Sequence, residues 1–317
     1  MRRGILACTI TALFVSACGE APTQPEALDP GDLMPLMQTT SSNGVLDQLP
    51  PFTQEELDDN WIDDRSTPSG GVESVSAFGR DDVARIGIDS DDPTADAGDG
   101  FFWRTEGIRR FGDFGTAIHV DLYLDPDWED QAVRAGFWVA GYTEDDVRSD
   151  GWGIFEFTTA DSEVIGSGPD QAEISRNERW RAWVSGIGWT DLNVDIDYGE
   201  WASIEIILDE TEQAYEFFLD GEPVFRAEIP VDDFATIDES THIGEVFLNH
   251  YNYGHEVLDP DAEAAGFTLV SYDAHWHNGD IPEPLARDDC MGGGWEAAGF
   301  RNQGQCIRFV NTGKDSR

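Results

Sequence analysis

Lysine is nearly absent. Lys314 is the only one, and with the arginines it makes 19 basic residues against 64 acidic ones, a formal net charge of −45. Such a surface repels nucleic acid and anionic polymers unless a cation bridges them. No long apolar run follows the first few residues, so the body of the chain has no membrane-spanning helix pattern. Amphipathic helical periodicity is also missing, which argues against a bundle or an α/β fold. G-x-S-x-G, a phosphate-cradling loop and H-E-x-x-H are all absent, so the common serine-hydrolase, nucleotide-binding and zinc-protease signatures have no support. Cysteine is scarce, with Cys8, Cys18, Cys290 and Cys306 making up the total of four. The acidic excess fits adaptation to a saline environment, where carboxylates keep a surface soluble.

The amino terminus carries Arg2 and Arg3, a short apolar run from Ile5 to Val15, and then V-S-A-C, Val15 to Cys18. The run is too short to span a bilayer as a mature helix. The order of basic start, apolar core and V-S-A-C resembles the lipobox of bacterial lipoproteins. That resemblance implies cleavage before Cys18 and a diacylglycerol on its sulfur, with residues 1–17 as signal peptide. Gly19 stands where an aspartate would mark inner-membrane retention, so the expected location is the cell envelope, at the outer membrane if there is one. The only membrane contact expected is this lipid anchor.

With Cys8 removed and Cys18 lipidated, Cys290 and Cys306 remain as an even pair in an oxidising compartment, which reads as one disulfide. A bond closing so short a loop contributes about 3 kcal/mol by the loop-entropy estimate. A two-cysteine metal site is the competing reading.

Residues 18–70 are rich in Pro, Thr, Ser, Asp and Glu and hold no sustained apolar period, so they read as a flexible acidic tether. Within it, Leu49 to Trp61 can form one short helix with Thr53 as N-cap and Glu56 three residues on. From residue 71 to 284 the pattern is of short strands. Ile118, Val120, Leu122 and Leu124 alternate with polar neighbours, as do Ile204, Ile206 and Leu208. Tyr215, Phe217 and Leu219 share a face, and Asp220-Gly221 then supplies a tight turn. The fold class is therefore all-β, a two-sheet antiparallel sandwich. Residues 285–317 read as a small hairpin closed by the disulfide, with Trp295 and Phe300 packing and Ile307 and Phe309 alternating.

W-A-S-I-E-I-I-L-D-E-T-E-Q-A-Y-E-F-F-L-D-G-E-P-V-F, Trp201 to Phe225, resembles the strand–hairpin–strand signature of concanavalin-like, or laminin-G-like, jelly rolls. G-F-T-L-V-S-Y-D-A-H-W-H, Gly266 to His277, resembles their closing strand. The resemblance implies a jelly roll of the lectin, carbohydrate-binding-module, glucanase and polysaccharide-lyase type. Cys290 to Val310 is similar to a short C-terminal element of secreted bacterial proteins.

The enzymes of this fold leave little trace. V-D-I-D-Y-G-E, Val194 to Glu200, lacks the leading glutamate of the glucanase strand, so Asp195 and Asp197 read as strand-end carboxylates. Arg104-Thr105-Glu106 and Ile118-His119 are faint echoes of the alginate-lyase strands, but Ala117 replaces the glutamine and the lysine-tyrosine strand is missing.

Three stretches remain as candidates for ligand contact. In S-Y-D-A-H-W-H-N-G, Ser271 to Gly279, alternation puts Trp276 in the core and Asp273, His275 and His277 on the opposite face. His275 and His277 could share a zinc only with a third ligand from His119, His250 or His255. Arg179, Arg181 and Trp183 share a strand face suited to stacking on a sugar and bonding its hydroxyls, with internal ion pairs as the competing reading. In this fold ligands usually meet the concave sheet, so the expected site brings Asp273, His275 and His277 together with His119 or Arg181. Asp89, Asp91 and Asp92 lie in an aspartate-rich loop that is a candidate calcium site. The sequence thus favours a non-catalytic jelly roll that binds a glycan or another envelope polymer. A polysaccharide-degrading enzyme and a structural envelope protein are the alternatives.

Overall fold

The computed structural model describes residues 49–91, 105–143, 148–164, 172–230, 241–253, 257–258, 271–278 and 307. Cys18, Cys290, Cys306 and Asp92 lie outside them.

Alternation at Ile118–Leu124 and Ile204–Leu208 does what it predicts. Ile118, Val120, Leu122, Ile204, Ile206 and Leu208 are all buried in one core, while His119, Asp121, Ser203 and Glu205 point the other way. Side chains of successive strand residues leave on opposite faces, so each strand offers the core one row only. A seven-stranded antiparallel sheet runs in the order β12 (Glu222–Glu228), β11 (Ala214–Leu219), β10 (Trp201–Asp209), β5 (Ala117–Tyr123), β15 (Tyr272–His277), β3 (Arg80–Ile88) and β2 (Val72–Ala77). The facing sheet has eight strands. Its path is β1 (Ile62–Asp63), β4 (Thr105–Phe111), β13 (His242–Tyr251), β6 (Arg134–Tyr142), β7 (Arg148–Val164), β8 (Ala172–Val184) and β14 (Val257–Leu258), with β9 (Gly188–Leu192) paired to β8. The expected two-sheet antiparallel sandwich is what forms, apart from the parallel pairing of β14 with β8.

Large aromatics fill the space between the sheets. Phe137, Phe155, Phe157 and Trp180 from the larger sheet meet Tyr215, Phe217 and Trp276 from the smaller one, all fully buried. Phe155 sets its edge against both Trp180 and Phe217, with ring centroids 5.4 and 5.7 Å apart, a favoured aromatic geometry. Trp276 is in this core, as alternation along β15 predicts. Asp220 and Gly221 both have positive φ, 52° and 75°, the two-residue hairpin turn that joins β11 to β12.

The helix α1 (Gln54–Asn60) forms where the sequence places it, and the Thr53 hydroxyl accepts from the Glu56 N–H at 3.1 Å. Its surroundings differ from the expectation. Leu49, Phe52, Leu57 and Trp61 are buried in the sandwich core. The stretch from Leu49 to Gly70 thus belongs to the domain, and the tether expected over 18–70 can extend only to residues before Leu49. The polar composition hid this, because four well-spaced apolar side chains are enough to dock a segment. Among the described residues, no helix is long and apolar enough to cross a membrane.

Candidate functional site

The seven candidate ligand-contact side chains divide between opposite faces of the sandwich. His119, Asp273, His275 and His277 leave the outer side of the seven-stranded sheet. Arg179, Arg181 and Trp183 leave the outer side of the eight-stranded sheet. The whole core lies between them, so no groove joins Arg181 to His277. Strand alternation gives a side chain's face but not the sheet to which its strand belongs, so of the two expected partners Arg181 is on the far side while His119 shares the face of His277.

On the seven-stranded sheet, His119 and His277 gather around Asp121, which has no exposure. His119 Nε2 lies 2.9 Å from Asp121 Oδ1 and 2.7 Å from the Ser203 hydroxyl. Serine, histidine and aspartate thus adjoin, yet both contacts use the same ring nitrogen, so His119 cannot relay a proton from one to the other. Arg80 donates to Asp121 Oδ2 and lies 2.9 Å from His277 Nδ1. A guanidinium therefore lies against His277 Nδ1, where a shared metal would need that nitrogen. Burial disfavours the charged form of His119, but the Asp121 carboxylate outweighs it and raises the imidazole above its ordinary value. Asp121 sits well below the usual carboxylate range: burial opposes this, and His119, His277 and Arg80 prevail.

The β2–β3 turn closes over this cluster. Phe78, at φ 51°, stacks on Tyr123 with ring centroids 3.6 Å apart, and its edge meets His275 at 4.9 Å. Trp201 Nε1 donates to the Phe78 carbonyl at 3.1 Å, and the Arg80 guanidinium lies 4.3 Å from the Trp201 ring centre. His275 is consequently buried, and only Asp273 of the predicted trio is exposed. These contacts make His275 part of the packing, with His119 and His277 half-buried beside it.

Asp89 Oδ1 accepts from the Asp91 N–H at 3.0 Å and from the Ser271 hydroxyl at 3.2 Å. Among the described residues, no three His, Cys, Asp or Glu side chains converge on a point that could hold a metal ion.

The outer face of the eight-stranded sheet is different in kind. Trp138, Ala140, Ile154 and Phe247 form a second apolar cluster, with Tyr142, Trp152 and Trp183 packed against it. Around it stand arginines, each with a carboxylate. Arg181 places Nε 2.6 Å and Nη2 2.5 Å from Glu156 Oε1, and Arg134 Nε lies 3.2 Å from Glu156 Oε2. Arg109 Nη1 donates to Glu245 Oε1 at 3.1 Å, while Tyr142 and Arg148 approach Glu245 Oε2 at 3.0 and 3.7 Å. Arg179 pairs with Asp161 and Asp191, and Arg65 with Asp64 at 2.7 Å. Burial lowers Arg65 to about 10; Asp64 opposes the fall, and the nearby Arg134 and Arg109 add to it. Several guanidiniums also lie over rings: Arg181 4.0 Å from the Trp189 centre, Arg65 4.7 Å from Trp138 and Arg148 5.1 Å from Trp152. Glu156 and Glu245 are wholly buried, whereas Trp189 is 38% exposed and Trp152, Trp183 and Tyr142 are half-buried.

This face was only partly foreseen. Arg179, Arg181 and Trp183 do share one face, and both arginines are also held in internal ion pairs. Trp138 and Trp152 lie within apolar runs, and Glu156 and Glu245 are single carboxylates with apolar or glycine neighbours on either side, Phe155 and Phe157 for one and Gly244 and Val246 for the other, so local pattern does not mark them.

Glu156 and Glu245 stand too far apart to act together on one glycosidic bond. Glu156 is opposite Gly136 and Glu245 opposite Ala140, on either side of β6. Four residues along and two strands across give a Cα separation of about 16 Å from ordinary sheet spacings. Catalytic pairs need roughly 5–9.5 Å between carboxyl groups. Glu156 and Asp161 are closer, and Arg181 bridges them at 2.5 and 3.6 Å.

No protein-family model and no curated protein sequence matches the chain. Solved structures with a similar outline include a Crh5 transglycosylase in complex with NAG, 15% identical over 73% of this chain and 83% of that one, with a TM-score of 0.37. A Bacillus licheniformis beta-glucanase is 12% identical over 70% and 92%, also with a TM-score of 0.37. The carbohydrate binding module CBM66 from Bacillus subtilis is 10% identical over 61% and 91%, with a TM-score of 0.31. The chain spans 16% of the length of a sialidase that it also resembles. At these values the likenesses concern architecture and carry nothing about activity.

Proposed function

We propose that this is a non-catalytic glycan-binding domain, held in the cell envelope by a lipid on Cys18, and that glycan meets the outer face of the eight-stranded sheet. One observation carries the reading. That face presents Trp152, Trp183, Trp189 and Tyr142 to solvent while its buried carboxylates are held by arginines. Indole and phenol rings stack on the C–H faces of sugar rings, and the outward edges of guanidiniums donate to hydroxyls. Glu156 has both oxygens against arginines, and Glu245 has arginines and a tyrosine hydroxyl, so neither offers an oxygen to a leaving group.

A glycan array probed with the full chain tests the binding, followed by reducing-sugar and unsaturated-uronate assays on every hit. The expected outcome is retention of at least one glycan with no turnover, and a loss of at least tenfold in affinity, about 1.4 kcal/mol, for Trp183→Ala combined with Trp189→Ala. Turnover of a polysaccharide overturns the non-catalytic part. Undiminished binding by the double variant moves the site elsewhere.

A further inference from the structure

The charge arrangement of the same face indicates what kind of glycan it takes. We infer that the ligand is an uncharged polysaccharide, and that the arginines serve as a scaffold and not as anion receptors. The inference rests on the glycan-binding reading above and adds the ligand class to it.

A surface built to hold uronates or sulfates keeps guanidinium edges clear of internal carboxylates, so that the two-donor fork is open to the ligand. Here Arg65, Arg109, Arg134, Arg148, Arg179 and Arg181 each lie within 4.0 Å of a carboxylate of the chain itself. Asp64, Glu156, Glu245, Asp161 and Asp191 nearly balance them. An incoming anion that drew off Arg109, Arg134 or Arg181 would take it from Glu156 or Glu245, which have no exposure. That would strand a buried carboxylate, the costliest way to break an ion pair.

What remains available is apolar and hydroxyl-directed. The rings of Trp152, Trp183, Trp189 and Tyr142 are reachable, along with the outer edge of Arg109. The rest of the molecule reinforces the choice. A chain with net charge −45 repels a polyanion at long range, and salt screens that repulsion only beyond about 8 Å at physiological strength. The tryptophans therefore have to recognise sugar rings for their apolar faces, and a neutral ring pays the smallest electrostatic penalty on approach.

The test compares the full chain on neutral probes (laminarin, galactomannan and xylan) with anionic ones (alginate, polygalacturonate and dextran sulfate), by affinity electrophoresis and titration calorimetry at 50 and 500 mM NaCl. Retention by at least one neutral probe is expected, with affinity changing less than twofold between the two salt concentrations and no retention by the anionic set. Trp183→Ala should weaken that neutral binding at least fivefold. Binding confined to anionic probes, or falling tenfold or more with salt, would overturn the ligand class and leave glycan binding intact. Failure to bind any carbohydrate on this panel or on the wider array would remove both readings.

Discussion

Arg181 and Glu156 stand on neighbouring strands, and Nε and Nη2 of the arginine reach the same carboxylate oxygen at 2.6 and 2.5 Å. Glu156 is wholly enclosed, and Arg134 closes on its second oxygen. Removing one member of such a group leaves buried charge without compensation, which costs about 3–5 kcal/mol. Glu156→Ala should therefore destabilise the domain by about that amount in urea denaturation. The Glu73–Arg85 pair has the same chemistry at 2.8 Å but is 48% and 36% exposed at the side chains. Glu73→Ala should cost less than about 1 kcal/mol. Equal losses for the two variants would show that Glu156 is not sealed from water.

Gly136 is opposite Glu156 in the sheet, and a Cβ there would come 2.7 Å from Trp138 Nε1 and 3.1 Å from Glu156 Oε2. The indole of Trp138 occupies the space that a side chain would need. Gly136→Ala should push Trp138 off the Phe247 cluster and cost about 1–3 kcal/mol, the usual range for overpacking. The Trp emission spectrum and the urea midpoint should both move. An alanine variant with unchanged midpoint and emission would mean that the indole gives way freely.

Much of this molecule could be read before any fold was known, and the successes share a cause. The alternation in β5 and β10, the Asp220-Gly221 turn and the Thr53 cap are local patterns, each fixed by neighbours within a few residues. The failures are all long-range. Nothing near His277 shows that Arg80 will reach it from 197 residues away. Nothing near Arg181 shows that Glu156 will stand beside it, and the hydrophobic run around Glu156 conceals a carboxylate with two arginine partners. Leu49 and Phe52 looked like tether because burial of isolated apolar residues leaves no period to detect.

The anchor can be tested without knowing the ligand. Cys18→Ser removes the sulfur that would carry the lipid, so the variant should leave the membrane fraction and appear in the soluble envelope fraction. Globomycin should block processing of the unaltered chain. Peptide mapping without reduction should link Cys290 to Cys306, and two free thiols in protein taken from the envelope would reject the disulfide.

His250 gives the sharpest pH dependence. It lies in the core between Tyr272 and Trp276, and its Nε2 accepts from the Trp276 N–H at 3.1 Å. Burial, with Arg134 nearby, lowers it to about 3, against an ordinary value of 6.5. Between those two values the unfolded chain holds a proton that the folded one does not. Stability supplied by neutral His250 is thus complete above about pH 6.5 and is lost as pH falls, by up to about 1.4 kcal/mol per unit. His275, also lowered by burial, acts in the same direction. His119 works oppositely: it is raised, so its contribution is whole below 6.5 and lost as pH rises through its folded value. Asp121 is depressed, so its contribution is whole above the ordinary aspartate range and lost only in stronger acid. Comparing variants isolates the first term. Gln in place of His250 keeps an acceptor for the Trp276 indole but cannot take up a proton. His250→Gln should be the less stable protein at pH 8, and its urea midpoint should fall less steeply than the unaltered chain's between pH 6 and 5. The gap between the two should close by roughly 1 kcal/mol over that unit. Parallel curves would mean that His250 is protonated in the folded core at pH 5.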